Sequence, residues 1–394
     1  MRWIRQITER FFSGWPATVM LCVVVVSAIA CWQRPTSERR LPTAHFSSGI
    51  APVSSRRCAE CHPGQAQSLA RAPHTRTLHR ATSAEIQSTF QGLRFHDLSS
   101  GKISDTFEFR DDQLWRNSST YPDPIPIDWV FGSGRHAQTP VTVRESPDGT
   151  TELLEHRLSH YPGIGIDLTL GTAAATKPGS GWHGLGTRMT AADAADCFGC
   201  HTTWLPKRAE SSGHEGRLDL DRLVAGVQCA RCHLEGESHL NAVNAGLNDV
   251  RMERWSDLSP LESIRRCGEC HRRDDQLTPD ELRPDNLLLV RFAPVGLSQS
   301  RCFTALAEMK TGRSDARRLD CLTCHDPHRA AETDTSFYTQ RCVSCHGTES
   351  GQASACSSET RSERCLDCHM PKVEVQPHLK FTDHWIRKRP PATH

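Results

Sequence analysis

Charge of one sign is missing from this 394-residue chain: 47 Lys and Arg stand against 46 Asp and Glu, a formal net charge of +1. No basic excess marks it for nucleic acid. Aromatic residues make up 6% of the chain, and only three of them are Tyr: Tyr121, Tyr161 and Tyr338. Methionine is as scarce, with Met189, Met252, Met309 and Met370 the only ones beyond the first 35 residues. Long apolar runs are lacking except for one near the N-terminus, and no segment repeats closely, so a solenoid does not follow. In their place stand 18 Cys and 21 His.

Fourteen of those Cys fall in seven Cys-x-x-Cys-His pentapeptides. They are Cys58, Cys61, His62; Cys197, Cys200, His201; Cys229, Cys232, His233; Cys267, Cys270, His271; Cys321, Cys324, His325; Cys342, Cys345, His346; and Cys365, Cys368, His369. This is the attachment signal of a c-type haem. Two thiols one helical turn apart each form a thioether with a vinyl group on one porphyrin edge, and the next residue, His, supplies the proximal iron ligand. The expected cofactors are seven covalently bound c-type haems. Zinc binding by the same units fits poorly with export and sevenfold recurrence. Six motifs lie between Cys197 and His369, roughly one per 29 residues, too few to wrap each haem in its own core. The porphyrins themselves are therefore expected to form much of the core.

The first 35 residues read as an export segment. Arg2, Arg5 and Arg10 precede an apolar stretch from Ala17 to Trp32, which suits either an uncleaved signal anchor or a signal peptide cleaved near Ala28-Ile29-Ala30, with Cys31 as a lipidation candidate. Either places the body on the periplasmic or other extracytoplasmic side of the membrane, held by an N-terminal helix or lipid. Cys22 and Cys31 belong to this leader, which leaves Cys302 and Cys356 outside the motifs. In an oxidising compartment the pair reads as a disulfide or as two buried free thiols.

Composition divides the remainder. Residues 36–55 are a polar linker rich in Ser and Pro, and 56–90 hold the first haem site with a helix continuing through Gly64–His74. Residues 91–190 form a β-containing insertion, a hairpin or small sheet with strands near 138–145 and 151–158 around the turn Pro147-Asp148-Gly149. That insertion reads as a structural flap, a cover for haem edges or a docking face. Residues 191–388 form a six-haem domain of short helices and irregular connections, and 389–394 are a tail. The fold class is mainly α with extensive loops and a small β insertion.

The second axial ligand decides what each iron does: another His gives a low-spin centre for electron transfer, and an open position admits substrate. Fourteen His remain after the proximal seven, enough for bis-His ligation throughout, whereas four Met are too few. Met370 follows proximal His369 directly and is poorly placed to cross its own ring. The distal candidates are His74, His136, His239, His328, His378 and His384. His239 and His328 lie six and three residues after a proximal His; neither easily crosses its own porphyrin, but each can ligate a packed neighbour. A seventh is open among His160, His183 and His214, and His156 and His160 sit in a strand-like region.

The strings GVQCARCHLEGESH, LDCLTCHDPH, CLDCHMPK and FTDHW resemble the bacterial multihaem cytochromes related to the tetrahaem cytochrome of nitrifying bacteria. That group shades into hydroxylamine oxidoreductases, octahaem tetrathionate reductases and pentahaem nitrite reductases. The resemblance covers roughly residues 55–388, with the β-like insertion as a departure. It implies a mostly helical, loop-rich body, haems in close parallel or perpendicular pairs, His239, His328 and His384 as distal ligands, and a Cys302–Cys356 link. The Cys-x-x-Cys-Lys catalytic motif of the pentahaem nitrite reductases does not occur here. No Tyr stands in a context favouring the porphyrin cross-link of hydroxylamine oxidoreductases.

These features point to an electron carrier between a membrane-associated donor, such as a quinol-oxidising complex, and a terminal reductase or soluble cytochrome. The alternative is an oxidoreductase acting on a small nitrogen or sulfur compound at one five-coordinate haem. For that activity Arg265, Arg266, Arg272 and Arg273 are candidate anion contacts, against propionate pairing or a solvated surface.

Overall fold

The computed structural model describes residues 51–96, 101, 103–147, 149–171, 184–206, 217–308, 318–347 and 364–389. The leader, most of the linker, His183, His214, Met309 and Cys356 lie outside the described residues, and with Cys356 the proposed disulfide. No helix among the described residues is long and apolar enough to cross a membrane.

The stretch between the first two motifs is far richer in strand than a hairpin. Its strands are β1 (Leu78–Arg80), β2 (Arg94–His96), β3 (Ile103–Arg110), β4 (Gln113–Ser118), β5 (Tyr121–Ile127), β6 (Trp129–Phe131), β7 (Thr139–Glu145), β8 (Thr151–His156), β9 (Leu158–Tyr161), β10 (Gly165–Leu168) and β11 (Gly186–Met189). They make an antiparallel five-stranded sheet in the order β1-β6-β7-β8-β11, a four-stranded sheet β2-β3-β4-β5, and the ribbon β9-β10. The expected strand pair is there as β7 and β8, in register from Val141 opposite Glu155 to Glu145 opposite Thr151. The expectation of a small hairpin or sheet in a mainly α chain is corrected: two sheets form here, because short apolar positions recur in strands that pack on each other. Phe95, Phe107, Leu114, Ile127, Val130 and Leu158 bury together with Ile86 and Phe90 of the helix Ala84–Phe90.

A charged pair, Arg116 with Asp105, is sealed inside this region. Arg116 faces inward on β4 and is 1% exposed. Its Nη2 lies 2.8 Å from Asp105 Oδ1, and its Nη1 donates to Leu185 O and to His156 Nδ1, each at 2.9 Å. His156 Nε2 meets Thr142 Oγ1 at 2.9 Å, and Thr142 donates to Pro126 O. Breaking such a pair leaves a buried charge uncompensated, a cost of about 3–5 kcal/mol. Both nitrogens of His156 are therefore spent within the sheets.

The five-stranded sheet continues into the helix that carries the second motif. In helix Ala191–His201, Thr190 accepts from Asp193 N at 3.3 Å while Asp193 Oδ2 accepts from Thr190 N at 2.9 Å, a reciprocal cap. Ala194 and Phe198, four residues apart on one face, pack on Leu78, Trp129, Val141 and Leu153. One apolar cluster thus runs across residue 190. Beyond it the clusters shrink to Ile264, Leu297 and Phe303 and to Leu277, Leu289 and Val295. The remaining motifs sit on or end short helices: Ser55–Ala59, Cys229–Cys232, Pro260–His271, Cys321–Cys324, Thr335–His346 and Cys365–His369. A C-terminal hairpin, β14 once β12 (Thr202–Trp204) and β13 (Val224–Ala225) are counted, pairs Lys372–Gln376 with β15 (Leu379–Thr382).

Candidate functional site

The Cys-x-x-Cys spacing becomes physical on these helices. In Pro260–His271, Ser259 and Glu262 form a capping box, Pro260 opens the first turn, and Cys267 and Cys270 follow one turn apart with His271 at the end. Helix Cys321–Cys324 is started by Asp320, which is 2% exposed, accepts from Thr323 N at 3.1 Å and is held by Arg318 Nε at 2.7 Å.

All seven motifs contribute to the wall of one cavity of about 3820 Å³, several times the roughly 300–1,000 Å³ of an ordinary ligand pocket. Nine large apolar side chains are exposed among the described residues, and five of them, Leu234, Val243, Val250, Leu322 and Val343, line this cavity. Apolar surface gathered in one concave wall suits an apolar occupant.

Four motif histidines face a second imidazole. His62 and His239 have ring centroids 6.4 Å apart, His271 and His74 6.3 Å, His233 and His328 6.3 Å, and His325 and His384 6.2 Å. Direct stacking is closer than this. A metal–imidazole bond of about 2.0–2.1 Å plus about 1.1 Å from nitrogen to ring centre, counted on both sides, gives about 6.3 Å. That spacing would suit two imidazoles held by one iron.

The rings are also turned for it. His239 Nδ1–H donates to Val250 O at 2.8 Å, His384 Nδ1–H to Thr382 O at 2.9 Å, and His328 Nδ1–H to Asp326 Oδ1 at 3.0 Å. His201 does the same to Thr77 O at 2.7 Å, with Phe131 4.9 Å from its ring, and His74 bonds the backbone of Pro327. Fixing Nδ1–H in this way leaves Nε2 for a metal. Burial pushes His74, His201, His233, His325 and His384 below the usual histidine range, and His271 down to about 4. These rings are neutral near pH 7 and keep the lone pair that ligation needs.

Backbone contacts hold His384 and His74 in place. A Cβ on Gly296 would stand 2.7 Å from Trp385 N, so only glycine admits the strap carrying His384, which Ser300 then ties by donating to His384 O and accepting from Ile386 N. Gly226, at φ +75°, donates to His201 O at 3.0 Å while Val227 N donates to His74 O at 2.8 Å.

The other candidates are placed differently. His136 lines the cavity 5.1 Å from the Phe381 ring and near Lys372, and His378 gives its Nε2 to Asp167 at 2.7 Å. Among the described residues no second imidazole faces His201, His346 or His369. His160 lies against Phe90 at 5.9 Å. Arg265 pairs with Asp274, Arg266 with Glu253 and Arg273 with Asp275, and Arg272 lies over Phe292, so these four are engaged with the chain itself. Of the three Tyr, Tyr338 lines the main cavity, 5.6 Å from His325, while Tyr161 buries its hydroxyl on Leu168 O.

The motifs form a connected series. The thiols of Cys58 and Cys229 are within hydrogen-bonding reach, as are those of Cys200 and Cys270 and of Cys267 and Cys321. Cys232 lies in the field of Cys267 and Cys270, and Cys342 in that of Cys324 and Cys365. The order in space is first, third, fourth, fifth, sixth, seventh, with the second joined at the fourth. Cys302 borders the sixth motif. The donor set, paired imidazoles, thiols and apolar walls all fit haem c.

Comparison with known proteins agrees in kind. Residues 180–234, which include the second and third motifs, match the model of the family described as cytochrome c554 and c-prime. A stretch of 198 residues, 47% of this chain, is 24% identical to the dissimilatory sulfite reductase MccA of Wolinella succinogenes and corresponds to 25% of that protein's length. The chain thus spans about a quarter of that relative. The crystal structure of the outer cell wall cytochrome OcwA aligns over 85% of this chain and 79% of its own, at 15% identity and a TM-score of 0.49.

Proposed function

For this chain, a multihaem c-type cytochrome whose cofactor is haem c, we propose a role as a heptahaem electron conduit outside the cytoplasm. The observation that carries this reading is the set of four facing imidazole pairs at 6.2–6.4 Å. Bound haem supplies a one-electron iron couple that two imidazoles keep low-spin.

The chain's own part is to hold and order the sites. His62, His201, His233, His271, His325, His346 and His369 serve as proximal ligands, and His239, His328, His74 and His384 complete the first, third, fourth and fifth pairs. Each distal residue comes from a segment next to a different motif, so no site is finished until its neighbours have folded against it. Donor and acceptor are redox proteins: a membrane quinol-oxidising complex on one side, and a terminal reductase or soluble cytochrome on the other. The N-terminal segment attaches the body to the membrane.

A second reading, an oxidoreductase acting on a small sulfur or nitrogen compound, is favoured by the aligned stretch shared with a dissimilatory sulfite reductase. Low-temperature electron paramagnetic resonance of the oxidised protein, with haem content measured on the same sample, separates the two. Low-spin ferric signals from at least four haems per chain are expected for the conduit. Fewer than four low-spin haems overturn it, and a high-spin haem that turns over added sulfite or nitrite favours the enzyme.

A further inference from the structure

Charge is sorted between the cavity wall and the rest of the molecule. Fifteen Lys and Arg but only five Asp and Glu line the large cavity. Elsewhere among the described residues the balance reverses, to 18 Lys and Arg against 31 Asp and Glu. The net charge of +1 is thus the sum of a cationic wall and an anionic remainder. So many like charges around one cavity repel each other unless the occupant is anionic. Haem fits this wall as well as the apolar one, because each porphyrin carries two propionates and seven haems bring a carboxylate excess of the same order. The carboxylates outside the wall gain no such compensation.

We propose that this anionic exterior is the surface that the redox partners meet, and that those partners present basic faces to it. The proposal rests on the conduit reading and names the chemistry of its partners. Each reduction removes one positive charge from an iron, so the protein is most anionic when it is ready to give electrons. Complementary charge raises the rate of encounter about 10–10³-fold and loses that effect as salt is added. Residues 234–250, after the third motif, show the sorting locally: they hold Glu235, Glu237 and Asp249 and no Lys or Arg. None of the three carboxylates lines the cavity, Glu237 and Asp249 are exposed, and Glu235 lies in the field of His233. The same segment carries His239, which faces His62 of the first motif, at one end of the series.

The test is stopped-flow oxidation of the reduced, exported full chain by two oxidants of opposite charge, hexaammineruthenium(III) and hexacyanoferrate(III), with haem per polypeptide measured on the same sample. Each encounter moves one electron from a ferrous haem to the oxidant. Oxidation by the ruthenium cation is expected to slow about tenfold from low to physiological ionic strength, while oxidation by the hexacyanoferrate anion speeds up. The triple variant Glu235→Gln, Glu237→Gln and Asp249→Asn is expected to react with the ruthenium cation about threefold more slowly than the parent at low salt, and equally at high salt. A ruthenium rate that holds or rises with salt in the parent overturns the proposal, as does a fully loaded triple variant with the parent's rate at low salt. Should the variant lose haem, the parent's two opposite salt dependences decide alone. A parent that carries no haem, or passes electrons to neither oxidant, fails the conduit reading, a separate result.

Discussion

Replacing His328 with Ala is expected to convert one iron of the array from low-spin to high-spin while leaving haem content intact. The ring lies parallel to His233 within 5°, at a centroid spacing of 6.3 Å, and Asp326 fixes its Nδ1. No thioether depends on it, because its own motif is completed by His325. Paramagnetic resonance and binding of added cyanide are the measurements, and one new high-spin, cyanide-binding centre per chain is the expected result. An unaltered low-spin spectrum at full loading means that another group ligates opposite His233.

Gly226→Ala is expected to be among the most damaging changes at the described glycines. At φ +75° the backbone already disfavours a side chain, and the added Cβ would lie 2.1 Å from Thr75 O and 2.7 Å from Thr75 C. Neither is the end of a flexible side chain, so the segments must part. The contacts at stake are Gly226 N to His201 O, Val227 N to His74 O, and Thr203 Oγ1 donating to Gly226 O at 2.6 Å. Separating them moves His201 and His74, the ligands proposed for the second and fourth sites, together. A loss of about 3 kcal/mol or more is expected, from backbone strain plus broken contacts. Thermal unfolding and the haem-to-protein ratio should both fall. Parent-like values for both would show that the junction tolerates the displacement.

Much of the site is legible in the sequence, because covalent chemistry imposes local spacing. The seven pentapeptides are short-range, and His74, His239, His328 and His384 stand out for their positions near motifs or in a distinctive C-terminal string. Which ring faces which is not legible there: the His74–His271 and His62–His239 pairings span nearly two hundred residues and depend on how helices dock. Gly226, Gly296, Ser300 and Asp326 leave no signal of their own, since their roles lie in backbone approach and second contacts.

The β region is under-read from sequence for identifiable reasons. Strand β5 carries Pro122, Pro124 and Pro126, which argue against a strand, yet it lies at the edge of its sheet where missing donors are tolerated. Strands β1, β2 and β6 have three residues each, too few for a period to show. Arg116 on β4 breaks the apolar alternation, and only the fold reveals Asp105 and His156 waiting for it. By contrast β7 and β8, longer and separated by a turn, are legible to within two residues.

The most direct test is to locate the irons in crystals of the exported protein by anomalous diffraction at the iron absorption edge. Seven iron sites per chain are predicted, four of them midway between the ring pairs His62–His239, His233–His328, His271–His74 and His325–His384, in a series that joins the second site at the fourth. Fewer than seven irons, or irons bound to the motif histidines with the facing rings turned away, would contradict the conduit described here.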